Sequence, residues 1–176
     1  MLTTLRMTEA ELIRACLAND RLAQKQLYDR YCKAMYTVAY RITGDFEAAN
    51  DVLQDAFIKI FSHLGNFRQE ATLGAWIKTI VVRTALSRLR KPVREEPFDP
   101  NYKEEGIDWG HTLDVEYLEL AIQSLPDGYR TVFLLIEVEG YSHKEVADML
   151  DISEGTSKSQ LFYAKKRLRN LLSEYE

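Results

Sequence analysis

Apolar residues recur every three or four positions along most of the chain, the spacing of one face of an α-helix. In RLAQKQLYDRYCKAMYTVAYRIT the steps run Leu27, Tyr31, Ala34, Val38 and Ile42. Thr8 with Glu11 forms a capping box ahead of LIRACLA, and Asp20 is placed to cap the longer helix. Gly44 ends that helix and Asp45 caps the next, FEAANDVLQDAFIKIFSHL, whose inward stripe is Leu53, Phe57, Ile60 and Phe61. Gly65-Asn66 breaks the pattern and FRQEAT reads as a polar loop. TLGAWIKTIVVRTALSRLRK then runs as helix to Pro92, with Trp76, Ile77, Ile80 and Val81 as its apolar side.

The period vanishes in PVREEPFDPNYKEEGIDWGHTL, residues 92–113, where proline, glycine and acid dominate. Such composition marks a linker. Helical patterns resume with VEYLELAIQSL, GYRTVFLLIEVEG and YSHKEVADMLDISEGTSKSQLFYAKKRLR. The expected fold class is all-α: a helical domain over 1–91, a linker over 92–113 and a small helical domain over 114–176, ending in a helix-turn-helix.

Charge sharpens this division. The chain of 176 residues carries a formal net charge of -4. Residues 1–91 nevertheless hold 14 basic and 9 acidic groups, whereas residues 92–116 hold 2 basic and 8 acidic. Two basic helices thus survive inside an acidic average, which matters more than the overall sign.

The first basic helix is the last in the chain. Ser142 and Glu145 make a capping box on HKEVADML, whose apolar face is Val146, Ala147 and Leu150. Three residues, Asp151-Ile152-Ser153, separate it from a second helix that Ser153 caps and that carries Lys158, Lys165, Lys166, Arg167 and Arg169. This is the layout of a DNA-binding helix-turn-helix, whose second helix enters the major groove. Gly155 and Thr156 permit close approach, and Lys158, Ser159 and Gln160 can donate to phosphates or base edges. An ordinary helical hairpin with a solvated basic face has the same spacing. The second basic helix, KTIVVRTALSRLRK, offers Lys78, Arg83, Arg88, Arg90 and Lys91, and the loop before it adds Phe67, Arg68, Gln69 and Thr72. Aromatic and polar groups beside cations suit single-stranded bases, although a core helix with a basic outer face reads alike. On ANDVLQDAFIKIF, Asp51, Gln54, Asp55 and Ile58 share an outer face, and an exposed Ile among carboxylates suggests a protein-binding surface, although an ordinary solvated face is the more common origin of such a pattern.

Other classes find little support. His63, His111 and His143 lie far apart, and no HExxH, phosphate loop, GxSxG or CxxC occurs. No catalytic residue, metal ligand or cofactor is therefore expected, and the chain reads as a non-enzyme. Cys16 and Cys32 have no metal-type spacing and suit a reducing compartment. No apolar run approaches a membrane span, and the first residues lack a signal-peptide core, so a cytoplasmic location is expected. A stand-alone helix-turn-helix regulator and an α-helical hydrolase remain as alternatives. The first lacks an evident dimer helix, the second a catalytic constellation.

In order, these segments resemble the sigma-70 family of bacterial transcription initiation factors, and within it the short extracytoplasmic-function group. LYDRYCKAMYTVAYRITGDFEAANDVLQDAFIKIF and FRQEATLGAWIKTIVVRTALSRLRK resemble region 2, and LELAIQSLPDGYRTVFLLIEVEGYSHKEVADMLDISEGTSKSQLFYAKKRLRNLL resembles region 4. The resemblance implies that Asp51, Gln54, Asp55 and Ile58 bind core RNA polymerase. It implies that Asn66, Phe67, Arg68, Gln69, Lys78, Arg83, Thr84, Ser87 and Arg88 act on the −10 element. It implies that Gly155, Thr156, Lys158, Ser159, Phe162 and Tyr163 read the −35 element. Core polymerase, promoter DNA and an anti-sigma factor are the implied partners. The chain departs from the family pattern where Asn and Asp are usual (Thr84, Ser87), an apolar residue (Ser157), a basic one (Gln160) and Gly (Asp151).

Overall fold

The computed structural model describes residues 7–89 and 115–173. All regular elements among them are helical, and the chain divides into two compact units, Met1–Arg88 and Leu89–Glu176. The linker expected over 92–113 lies outside the described residues. No helix among the described residues is long and apolar enough to cross a membrane.

The first unit holds α1 (Glu9–Leu17), α2 (Arg21–Thr43), α3 (Phe46–His63), a 3-10 turn (Leu64–Asn66) and α4 (Leu73–Arg88). Its helix ends are set locally. The Thr8 hydroxyl and amide donate to Glu11 Oε2, each at 2.8 Å, and Glu11 N returns a bond to Thr8 Oγ1. Asp20 accepts from the amides of Leu22 and Ala23, and Asp45 from that of Ala48. Gly44, at φ 69°, supplies the left-handed cap between α2 and α3. Helices α2, α3 and α4 then pack around Leu27, Ile42, Val52, Ile60, Leu73, Ile77 and Val81, with Leu12 of α1 closing one side. The start of α4 lies so near α2 that a Cβ on Gly74 would meet the Tyr31 ring at 3.2 Å.

Two sequence expectations change here. Ala34 is exposed and Met35 is buried in its place, so the inward stripe of α2 runs Leu27, Tyr31, Met35, Val38, Ile42. Within the expected apolar side of α4, Ile77 and Val81 are fully buried, whereas Trp76 and Ile80 are half-buried.

The second unit holds α5 (Val115–Gln123), α6 (Asp127–Phe133), α7 (His143–Leu150) and α8 (Glu154–Ser173). After Phe133 the chain widens into a π-helical turn, Leu134–Val138, closed by Glu139 N donating to Leu134 O at 2.9 Å. Leu134 and Leu135 face inward there and Glu137 meets Lys165 of α8 at 2.7 Å. The core joins Ile122, Leu125, Val132, Phe133, Val146, Leu161, Ala164 and Leu168. Two cations are buried with it, Lys165 against Glu137 and Arg130 at the end of α5. Arg130 is 6% exposed, and its guanidinium donates to the carbonyls of Gln123 and Leu125 and to Asp127 Oδ1. It thereby satisfies acceptors left over at the end of α5.

Candidate nucleic-acid and polymerase interfaces

The helix-turn-helix is built by three local devices. Ser142 and Glu145 close a reciprocal box on α7, with Ser142 N and Oγ donating to Glu145 Oε2 at 2.8 and 2.7 Å. Those two bonds, backbone first, hold the Glu145 carboxyl below its ordinary range. Asp151 then adopts φ 54°, ψ 50°, the left-handed conformation that explains why Gly is usual there. Asp tolerates it better than most residues. Finally, Thr156 N donates to Ser153 Oγ at 3.0 Å, capping α8.

A fourth contact ties the two helices together. Ser157 is fully buried where the pattern calls for an apolar side chain, and its hydroxyl sits 2.8 Å from His143 Nδ1. The polar substitution thus comes with its own partner, and His143 serves as a packing residue.

The residues expected to read the −35 element are differently placed. Tyr163 is exposed, Lys158, Gly155 and Phe162 are half-buried, and Thr156 and Ser159 are buried. The Thr156 hydroxyl pairs with Ser153 Oγ, and Ser159 Oγ donates to Gly155 O at 3.1 Å. Tyr163 stacks on Tyr129 of α6, their ring centroids 5.9 Å apart. Of the basic residues on α8, Lys165 turns inward to Glu137, while Lys166 and Arg167 are exposed.

In the first unit the loop after α3 and the start of α4 enclose an open cavity of about 350 Å³. Asn66, Phe67, Arg68, Glu70, Ala71, Ala75, Trp76 and Thr79 line it. Phe67 and Trp76 form an aromatic corner, with centroids 5.4 Å apart and planes at 47°. Gln69 lies outside the lining and takes φ 58°. Asn66, Phe67 and Arg68, expected at the −10 element, line this cavity together with Trp76, which the sequence places on the apolar side of α4, and Thr79. The available signal was the spacing of Ala75, Trp76 and Thr79, a single turn directly after the loop.

Farther along α4, Lys78 is half-buried, and Arg83 and Ser87 are exposed. Thr84 is 2% exposed, and Lys59 of α3 donates to its hydroxyl at 3.2 Å, so this residue faces the α3–α4 packing and not the outer surface. Arg88 reaches across to α3, 3.3 Å from Asp51 Oδ2 and paired also with Asp55. Its pKa is raised, chiefly by the hydrogen bond to Asp55. One residue expected at the −10 element is therefore joined to two expected at the polymerase. The α3 face itself is open: Gln54 is exposed and Ile58 is 66% exposed, a large apolar side chain beside carboxylates.

Comparison with known proteins follows the same division. Residues 27–95 match the family Sigma-70 region 2, and residues 116–168 match Sigma-70, region 4. The ECF RNA polymerase sigma factor SigM of Mycobacterium tuberculosis is 33% identical over 168 residues, covering 94% of this chain and 85% of the relative. The RNA polymerase sigma-H factor of Pseudomonas aeruginosa is 30% identical, with 94% of this chain and 96% of that protein covered. Among solved structures, the sigma factor RpoE of Bartonella quintana, in complex with the anti-sigma factor NepR, superposes with a TM-score of 0.56 at 25% identity. The superposition covers 85% of this chain and 96% of that one.

Proposed function

The chain belongs to the sigma-70 family, in its extracytoplasmic-function group, and from this premise we propose how its two units divide the work of starting transcription. It is a promoter-recognising sigma factor of RNA polymerase. The second unit reads the −35 element with α8, whose first turns present Gly155, Lys158, Phe162 and Tyr163, with Thr156 and Ser159 buried behind them. The first unit holds core polymerase on the outer face of α3 through Asp51, Gln54, Asp55 and Ile58. Its α4 and preceding loop engage the opened −10 strand, with Asn66, Phe67 and Arg68 at the cavity and Lys78, Arg83 and Ser87 farther along. Trp76 and Thr79 join that set.

The observation that carries this reading is the turn between α7 and α8, with Asp151 at positive φ and Ser153 accepting from Thr156 N. It supports the N-terminus of α8 as the end that enters a major groove. The aromatic corner of Phe67 and Trp76 supports the −10 assignment, because a base extruded from the stack needs a new stacking surface. The chain acts in the cytoplasm as a binding subunit, not as an enzyme. The Bartonella quintana structure holds an anti-sigma factor, and an inhibitor of that kind is the expected regulator here.

The acidic average of the chain fits this division. Counterion release would draw an entirely basic protein to any DNA. Two weak basic contacts held at fixed spacing by the polymerase become selective only together. The deciding experiment mixes the chain with purified core polymerase. A stable complex and promoter-dependent initiation are expected. DNA binding by the free chain alone, with no complex, would point instead to a stand-alone helix-turn-helix regulator.

A further inference from the structure

The cations of α8 do not act as one patch. In the consecutive run Lys165-Lys166-Arg167, the first is 2.7 Å from Glu137 and buried, while the other two are exposed. Lys166 and Arg167 edge an open cleft of about 400 Å³ between α6 and α8, completed by Tyr129, Tyr163, Asn170 and Leu171. Among the described residues lining it, none is acidic.

The cleft continues the helix surface expected to face DNA. Tyr163, Lys166 and Asn170, all exposed, follow steps of three and four and therefore share a stripe. The buried Leu161, Ala164 and Leu168 lie on the opposite side of α8. At a rise of about 1.5 Å per residue, Lys166 stands about 12 Å along the axis from Lys158. That is about the width of the major groove, so a helix whose first turn meets base edges carries its third turn to the flanking strand.

We infer that the cleft at Lys166 and Arg167 holds a phosphate of the promoter duplex beside the −35 element. The ammonium and guanidinium groups supply charge, and the Tyr163 and Tyr129 side chains line the same cleft. The contact is blind to sequence and fixes the register of α8 on the duplex. It supplies cationic anchoring that the first turns of α8, with Lys158 as their one basic residue, provide sparingly. The inference rests on the assignment of α8 to DNA made above.

The test uses holoenzyme assembled from the full chain and core polymerase, on duplex fragments that this holoenzyme selects from a pool randomised at the −35 element. Affinity is measured over a salt series for wild type, for Lys158→Ala and for Lys166→Ala with Arg167→Ala. The double variant should flatten the plot of log affinity against log salt by about 0.9 for each phosphate it no longer neutralises. It should also bind more weakly by the same factor on every −35 variant. Lys166→Arg with Arg167→Lys keeps both charges and should restore the slope. A wild-type slope in the double variant, with Lys158→Ala impaired, overturns the phosphate site and leaves the cleft to an acidic protein segment. A loss confined to one −35 sequence overturns it in favour of base contact. Wild-type binding by all variants removes the assignment of α8 to DNA, and the inference with it.

Discussion

Glu145 shows how much a single carboxylate can organise. Its two bonds from Ser142 hold its pKa below the ordinary carboxylate value of 4.5. A folded-state pKa below the unfolded one means that this contribution is complete at neutral pH. It fades as pH falls through the unfolded value and is gone below the depressed folded one. Amide exchange at the start of α7 should therefore accelerate in that acid window, and Glu145→Gln should abolish this pH dependence. The same box on α1 predicts that Glu11→Gln changes only the first unit. Arg130 works by burial instead. Removing it strands the buried carbonyl of Leu125, and an unsatisfied buried acceptor costs about 1–3 kcal/mol. Arg130→Met should destabilise the second unit by about 1–3 kcal/mol, seen as faster amide exchange in α5 and α6 with the first unit unchanged. Arg130→Lys should recover only part, since an ammonium lacks the planar fork that reaches several acceptors.

At the scale of elements, α3 and α4 each show one face to the core and one outward, the face proposed for a partner. Ile58 is the clearest outward residue on α3. Ile58→Ala should weaken core-polymerase binding in a pull-down titration while the helical signal and melting stay as in wild type; unchanged affinity would remove Ile58 from the interface. Replacing Asp51 and Asp55 is a less direct test, because Arg88 loses its partners at the same time. On α4 the decisive position is Trp76. Base–aromatic stacking is worth about 1–3 kcal/mol, so Trp76→Ala should slow promoter opening by roughly 5- to 150-fold and affect closed-complex formation much less. Permanganate reactivity of −10 thymines measures the opening. Wild-type reactivity in the variant would separate the cavity from the melted strand.

At the scale of the molecule, the spread of charge becomes the variable. Residues 92–116 carry 8 acidic against 2 basic groups, and Glu95, Glu96, Asp99, Glu104, Glu105 and Asp108 recur through them. A polyanionic segment suits a basic channel that nascent RNA later occupies, and growing RNA would displace it. Replacing Glu95, Glu96, Glu104, Glu105 and Asp108 by Gln or Asn keeps length and polarity. Core affinity should then fall in a salt-sensitive manner, and the ratio of abortive to full-length transcripts should change. If neither moves, the segment is a tether whose charge is incidental.

The sequence by itself determined the helical class and the helix boundaries at Thr8, Asp20, Gly44, Asp45, Ser142 and Ser153. It also determined the three-residue turn ahead of α8. Each of these depends on groups at most four residues apart, so local spacing is enough to read them. The outer face of α3 was equally legible, since a single helical period places Gln54 and Ile58 away from Leu53, Phe57 and Ile60. Only the tertiary structure decided that Met35 and not Ala34 faces inward, that Thr84 is buried against Lys59, and that Arg88 bridges to Asp51 and Asp55. It alone separated Lys165 from Lys166 and Arg167, brought Trp76 to Phe67, and gave Ser157 its partner in His143. Arg130 left one trace in the sequence, a lone cation in GYRTVFLLIEV, but not what it would bind. These outcomes rest on which residues distant along the chain come within hydrogen-bonding or ring-contact range. That depends on how the helices pack, and the period of any one helix carries no record of its neighbour.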